Sequence, residues 1–367
     1  MLGRVCAAAP GCATAAAPGA DGGALLFRTA KPTYGAPDGF VTKARGMTQD
    51  TDWGVGQGPV PRFAVHFAAP DITDWLPGNC GLPGVWRFTA ARPGPHVVIT
   101  TLIHGNEIAG AVVLDRMLRA GVAPLRGQLT LIFANLDAFA RFDPANPTAS
   151  RFADEDLNRV WDQAVLDGPR SSRELIRARA LRPLIDSADC VLDLHSMLWP
   201  GDPLTLCGPT QRGRALARAM AKPALVVADT GHVGGRRLID YARFTDPAGT
   251  ATAILVEAGQ HWEPGTVESM QASIAGLLAA TGLGPPVPAD TVPPQCAEVT
   301  HVITATTGAF TFLRPYRGGD VVVARDTLIA MDGEAEVRTP HDNCLLVMPS
   351  LRPSRGHTAV RLARLVG

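Results

Sequence analysis

Residues 96–107 read HVVITTLIHGNE. The first eight are apolar or β-branched with no polar alternation, the pattern of a strand covered on both faces. The run stops at His104, where Gly105 and Asn106 supply turn chemistry. Glu107–Ala120 then reads as a helix, with Ile108, Val112 and Met117 near one face and Gly121 and Pro124 marking its stop. A buried strand feeding a helix through a short polar turn is the unit of a layered α/β fold.

The same alternation continues outward. Leu129–Ala134 (LTLIFA) predicts a second strand, Cys190–Leu194 (CVLDL) a third, Ala224–Ala228 a fourth and Ala253–Val256 (AILV) a fifth. Helices are expected over Ser171–Ser187, kinked at Pro183, and over Val267–Ala280. The expected architecture is a mostly parallel or mixed sheet flanked by helices. The Pro/Gly-rich run TGLGPPVPADTVPP at 281–294 places a linker at 286–294. It closes a catalytic α/β domain of 51–285 and leaves 295–367 as a small all-β domain. Strand-like runs there, at Gly308–Leu313, Asp320–Ala324, Leu328–Met331 and Leu345–Met348, are separated by RGGD, MDGE and HDN turns. Residues 1–50, rich in Ala, Gly and Pro, read as a disordered leader or as a start placed too early, with Met47 as the true start.

Composition narrows the function classes. The chain has 367 residues, with 34 basic side chains against 34 acidic ones, so no bulk positive charge is available for nucleic acid. No apolar run approaches the roughly 18 residues of a membrane-spanning helix. Seven cysteines are widely spaced without a CxxC, which argues against a disulfide scaffold and fits a reducing, cytoplasmic setting. Lys31, Lys43 and Lys222 are the only lysines, so Schiff-base chemistry has few candidates. A carrier domain with a modified lysine is excluded after residue 222.

The chemistry gathers where strands end. Four of the expected strands deliver His104, Asn135, His195 and Glu257 to their carboxyl ends, the edge where open α/β sheets bind ligands. His104 and Glu107 are three apart at a strand-to-helix turn, so imidazole and carboxylate can reach a common point. His195 arrives from a separate strand. Two histidines and a carboxylate are a ligand set of catalytic zinc, which keeps a further position open. The plain alternative is that each is a hydrogen-bonded structural residue, since an HxxE also arises by chance. Asp193, two before His195, shares its strand face and is either a partner of that imidazole or a structural pair. The segment SRFADEDLNRVWD at 150–162 is either a charged helix start or a carboxylate-recognising loop, because Arg151 and Arg159 flank its acidic stretch beside Asn158. HExxH, GxSxG and GxxxxGK[ST] are all missing from the sequence, which removes the commonest zinc-protease, serine-hydrolase and phosphate-loop readings.

HGNE, SRFADEDLNR, DLHS and VEAGQ, in this order and at these distances, resemble the succinylglutamate desuccinylase/aspartoacylase family of the zinc carboxypeptidase-like superfamily. The resemblance runs from about residue 70 to 285 and more weakly through the C-terminal β segment. It implies one zinc per chain held by His104, Glu107 and His195, with Glu257 as general acid/base and Arg151 polarising the scissile carbonyl. Asn158 and Arg159 would hold the substrate carboxylate. The implied activity is hydrolysis of the amide bond of a small N-acyl amino acid or related amine. The C-terminal β domain would narrow the cleft against longer peptides. Such a chain would have a small-molecule substrate and no nucleic-acid or membrane partner, with a homo-oligomer open. Two other readings stand beside it: a metallocarboxypeptidase acting on short peptides, and a non-catalytic metal-dependent binding protein on the same scaffold. Tyr241, Arg243 and Tyr316 are expected to pack rather than touch substrate. His232 and His261 carry no role, and His261 is expected against Trp262.

Overall fold

The computed structural model of the protein describes residues 61–232, 234–288 and 293–366. The expectations for a leader over 1–50 and a start at Met47, and part of the linker at 286–294, lie outside the described residues.

Among the described residues, fourteen strands follow in chain order: β1 (Val85–Thr89), β2 (His96–Thr101), β3 (Gln128–Phe133), β4 (Cys190–Met197), β5 (Leu204–Leu206), β6 (Leu225–Ala228), β7 (Thr252–Gln260), β8 (Gln295–Thr304), β9 (Phe310–Phe312), β10 (Val321–Val322), β11 (Leu328–Asp332), β12 (Ala335–Arg338), β13 (Cys344–Val347) and β14 (Thr358–Val366). The helices are α1 (Ile108–Arg119), α2 (Leu136–Phe139), α3 (Gln163–Asp167), α4 (Arg173–Ser187), α5 (Gln211–Met220), α6 (Ala242–Thr245) and α7 (Pro264–Thr281). Pro183 lies inside α4 without ending it. Among the described residues, one mixed sheet has the order β1-β3-β2-β4-β7-β5-β6-β8-β14-β13-β10, and β12, β11 and β9 form a separate antiparallel sheet. The centre, β3-β2-β4-β7, is parallel. β5 then runs antiparallel to β7, and β6 pairs in parallel with both β5 and β8. The fold is therefore the expected α/β type, and the C-terminal strands both extend the large sheet and build the small one.

Strand alternation explains why the site lies on one face. Successive side chains point to opposite faces. Val97, Ile99, Leu192, Leu194, Ile254 and Val256 pack into the core that α1 and α7 cover. Val98, Val191, Ala253 and Leu255 pack into the opposite core, which α4 covers. Thr100, Asp193, His195 and Glu257 continue that second set. Each fully buried Val, Leu or Ile contributes on the order of 1.5–3 kcal/mol, so this register is firmly specified: a slip of one residue would bury the charged set among α1 and α7.

A third cluster joins the C-terminal strands to the rest. Phe63, Trp199 and Trp262 pack with Phe310, Phe312, Leu346, Val360 and Leu362. Tyr316 belongs to this core, in contact with Phe312 at 5.8 Å between ring centroids.

Candidate metal centre

His104 lies beyond the end of β2, in a turn that the backbone forces. Leu102, fully buried, sits at φ 57, a conformation that few non-glycine residues adopt without surrounding support. It swings the chain out of the sheet before His104. At Gly105 the turn passes so close to its neighbours that an added Cβ would meet Ala138 C and Phe139 N at 2.4 Å. The Gly105 N–H donates to Arg151 O at 3.0 Å, tying this turn to the SRFADEDLNR loop. Glu107 is the N-cap residue of α1, yet its side chain makes no capping bond. Its carboxylate is committed elsewhere.

That commitment is to both imidazoles. Glu107 Oε1 lies 2.7 Å from His104 Nδ1, and Oε2 lies 3.1 Å from His195 Nδ1. The two rings stand edge to face at 5.0 Å between centroids. One ligating atom from each of His104, Glu107 and His195 can be chosen so that all three lie within 4.8 Å of one another, and all three residues are buried. The Ser196 N–H donates to Glu107 Oε2 at 2.9 Å, fixing the carboxylate from behind. Burial opposes the Glu107 charge, but the two imidazoles outweigh it and hold the group well below the usual carboxylate range.

The outer nitrogens of the rings also face carboxylates. His195 Nε2 lies 2.9 Å from Asp193 Oδ2, whose other oxygen accepts from Thr100 Oγ1 at 2.5 Å. His104 Nε2 lies 2.9 Å from Asp156 Oδ1. A carboxylate on the far nitrogen sets the tautomer that leaves Nδ1 able to ligate. Asn158 Nδ2 and an Arg151 amino nitrogen also approach these two Nε2 atoms, at 3.4 and 2.9 Å. Neither can donate to a nitrogen that already carries a proton, so the carboxylate contacts are the ones that orient the rings. Burial works against a charge on His195, but Asp193 and Glu107 raise its pKa well above the ordinary imidazole value. A divalent cation among the three groups would replace that proton, because ligation needs the neutral ring. Buried convergent N and O donors with carboxylate-oriented rings fit zinc.

Glu257 adjoins this cluster from β7, where it is the register partner of His195. It is buried, and its Oε2 is enclosed with no hydrogen-bond partner. Burial pushes its carboxyl up to about 8, with His195 pulling the other way and Glu107 adding to the rise.

The SRFADEDLNR loop supplies the remaining groups. Glu174, fully buried on α4, accepts the N–H groups of Ala153, Asp154 and Glu155 at 2.6, 3.1 and 3.2 Å, and Asn135 Nδ2 at 3.0 Å. This pins the loop above the cluster. Arg151, about a third exposed, lies 3.5 Å from Glu107 Oε1 and 3.3 Å from Asp156 Oδ2. Asn158 is held by its Oδ1, which accepts the Leu238 N–H at 2.8 Å. Arg159 donates to Asn158 O at 2.7 Å. Burial lowers the Arg159 pKa, with Asp156 opposing that shift. Gly235, at φ 137, packs its Cα on Arg159, where a Cβ would meet the carbonyl oxygen at 2.4 Å.

His104, Glu107, His195, Glu257, Arg151, Asn158 and Arg159 therefore come together in one region. Asn135 does not: its side chain caps α2 through Ala138 N and bonds Glu174. Tyr241 bonds Asp186 and Arg182, and Arg243 donates to Ala188 O, away from the cluster. His261 packs on Trp262 at 5.1 Å as expected, and its Nδ1 lies 2.7 Å from Ser196 Oγ. Asp156 and Glu174 were not singled out from sequence. Asp156 stands inside the quoted motif. Glu174 looks like any first-turn helix acid.

The model of the succinylglutamate desuccinylase/aspartoacylase catalytic domain matches residues 93–277. A succinylglutamate desuccinylase of Paraburkholderia xenovorans is 28% identical over 279 residues, covering 69% of this chain and 77% of that protein. Among solved structures, a succinylglutamate desuccinylase of Vibrio cholerae is similar with a TM-score of 0.59 at 18% identity, over 78% of this chain and 86% of that one. The enzyme of Vibrio parahaemolyticus gives a TM-score of 0.58, also at 18% identity, over 78% and 87%. At such identities the structural likeness speaks for the fold. Among the described residues, no helix is long and apolar enough to cross a membrane.

Proposed function

Because the chain belongs to the succinylglutamate desuccinylase/aspartoacylase family, we propose that it is a zinc-dependent hydrolase that removes the acyl group from a small N-acyl amino acid or a related N-acyl amine. The observation that carries this reading is the convergence of buried His104, Glu107 and His195 donors within 4.8 Å, with Glu257 beside them on the next strand.

In this reading His104, Glu107 and His195 hold one zinc per chain. When bound, zinc supplies Lewis acidity that makes water nucleophilic near neutral pH. The other steps belong to the chain. Arg159 and Asn158 hold the substrate carboxylate and so fix the amide over the cluster. Arg151, mobile enough at its partly exposed position to leave Asp156, places a guanidinium on the scissile carbonyl oxygen as charge develops there. Glu257 Oε2, free of protein partners, takes the proton of the attacking water and delivers it to the leaving nitrogen. Such proton transfer contributes roughly 10²–10⁴ in rate. Burial raises the basicity of Glu257, which suits a base that must later act as an acid. The domain reading is part of the same proposal: 51–285 catalytic, 286–294 a linker, and 295–367 a β domain closing one side of the substrate space. We place the enzyme in the cytoplasm.

The test is hydrolysis of a panel of N-acyl amino acids by protein of measured zinc content, read as released amine, with dipeptides and longer peptides in parallel. Turnover of acyl amino acids above peptides is expected. Peptide preference would favour the carboxypeptidase reading, and binding without turnover the non-catalytic one.

A further inference from the structure

The proposed substrate anchor, Asn158 with Arg159, is itself held by a second segment. Residues 234–238 read GGRRL and run alongside it. Val160 and Arg236 form an isolated parallel bridge, and the Trp161 N–H donates to Arg236 O at 3.2 Å. The Leu238 N–H donates to Asn158 Oδ1 at 2.8 Å. That bond turns the other half of the amide toward the metal cluster, with Nδ2 at 3.4 Å from His195 Nε2. Gly235 closes the contact. At φ 137 it suits no L side chain, and a Cβ there would stand 2.4 Å from the Arg159 carbonyl oxygen and 3.0 Å from the Arg159 Cβ. The backbone of 234–238 therefore sets how Asn158 and Arg159 are aimed.

Arg237 fixes that backbone. It is buried, as are Asp229 and Asp240, which flank the segment in sequence. Its two amino nitrogens donate to the two oxygens of Asp229 at 2.9 and 2.8 Å. Its Nε donates to Asp240 Oδ2 at 2.7 Å, and an amino nitrogen to Asp240 Oδ1 at 3.0 Å. The Arg237 main-chain N–H also donates to Asp240 Oδ2, at 3.3 Å, so the clamp grips backbone and side chain together. Arg361 of β14 adds its Nε at 3.9 Å from Asp229 Oδ2. Burying such charges is a poor route to stability, because well-packed apolar groups often do as well. Directional bonds from one planar fork to two carboxylates give something else, a fixed geometry for the chain between them.

We propose that Arg237 is a positioning residue for substrate recognition: bracketed by Asp229 and Asp240, it holds Gly235–Leu238 against Asn158 and Arg159 and so sets the aim of the carboxylate anchor. The role given to that anchor rests on the deacylase reading.

The test compares the zinc-loaded full chain with Arg237→Lys, Asp240→Asn and Gly235→Ala. The ligands are the N-acetyl and N-succinyl forms of L-alanine, L-leucine, L-glutamine and L-glutamate, each as the free acid and as the α-carboxamide. Binding is measured by calorimetry and hydrolysis as released amine. The parent is expected to favour the free acids. Arg237→Lys keeps a cation but loses the fork that fills both carboxylates. Asp240→Asn loosens the same clamp with the Asp229 pairing in place, and decides the matter if the lysine variant fails to fold. Gly235→Ala leaves the clamp whole and pushes on Arg159 directly. Each should cut the preference for free acid over carboxamide about tenfold or more at parental zinc content, with KM rather than kcat carrying the effect. A purely structural role would weaken both ligand forms alike. A parental preference in the two clamp variants, equal losses for acids and carboxamides, or a parent with no preference for acids would overturn the proposal. The last of these, with hydrolysis intact, would leave the deacylase reading standing. Acid-selective binding that needs Arg237 but comes with no hydrolysis would instead overturn the deacylase reading and leave the Arg237 assignment in place.

Discussion

His195 and Glu257 are register partners on the adjacent parallel strands β4 and β7, and both continue the strand face that packs toward α4. The pairing places the proposed base one strand spacing from a proposed ligand, roughly 4.8 Å between backbones. Neither position depends on a flexible loop. Glu257→Gln keeps the volume and removes the base. It should retain zinc at the parental stoichiometry and melt within a few degrees of the parent, yet lose about 10²–10⁴ in kcat. Metal analysis and single-substrate kinetics on the same preparation check this. A variant with parental kcat would exclude Glu257 as the proton carrier.

Asp193 orients His195 through its outer nitrogen and is itself fixed by Thr100. Asp193→Asn preserves the shape but removes the charge that favours the Nδ1-ligating tautomer. Zinc affinity is expected to fall about 10–100-fold, read by competition with a chromophoric chelator. Exhaustive chelation of the parent should abolish turnover, and added zinc should restore it. An unchanged affinity in Asp193→Asn would mean that the aspartate serves the core alone.

Much of this site was legible because each group sits in a short motif at a chain turn, where polarity breaks an apolar run. HGNE and VEAGQ stand out against HVVITTLI and AILV for that reason. The same contrast marks Asn135, which lies past the end of β3 and caps α2. Strand length was misjudged where the backbone, not the side chains, ends the pairing: β2 stops at Thr101, before the φ 57 turn at Leu102, although Leu102 and Ile103 remain apolar. β8 and β14 are interrupted by polar residues and lack the continuous apolar run that marks AILV in β7. In β8, QCAEVTHVIT alternates buried and exposed positions irregularly, and it shifts register against β14. Arg361, buried on β14, is missed with that strand, since its burial follows from pairing with β8 and β13 that no local pattern reports.

Glu174 accepts three consecutive backbone N–H groups of the loop that carries Arg151 and Asn158. An internal carboxylate fills a backbone nest that would otherwise be left unsatisfied. Glu174→Gln brings an amide donor toward those N–H groups and should destabilise the fold by about 1–3 kcal/mol. Loop displacement should lower kcat/KM about tenfold or more with zinc still bound. Denaturant unfolding, zinc content and kinetics together separate loop positioning from loss of the metal. Parental kinetics with reduced stability would confine Glu174 to a structural role.

His261 makes acid an identifiable hazard. Its ring is buried against Trp262 and Ser196, and burial lowers its pKa to about 3. An unfolded histidine titrates near 6.5. Between these values the unfolded chain binds a proton that the folded chain refuses, so stability is complete above about 6.5 and is lost as the pH falls toward 3. The slope for a single group approaches about 1.4 kcal/mol per pH unit. His261→Gln keeps a partner for Ser196 Oγ without titrating. With chelator present, so that metal release does not contribute, urea unfolding at pH 7.5, 6 and 5 should show the parent losing stability relative to this variant as the pH drops. Parallel pH dependence of the two proteins would mean that the ring is charged, or accessible to protons, in the folded state.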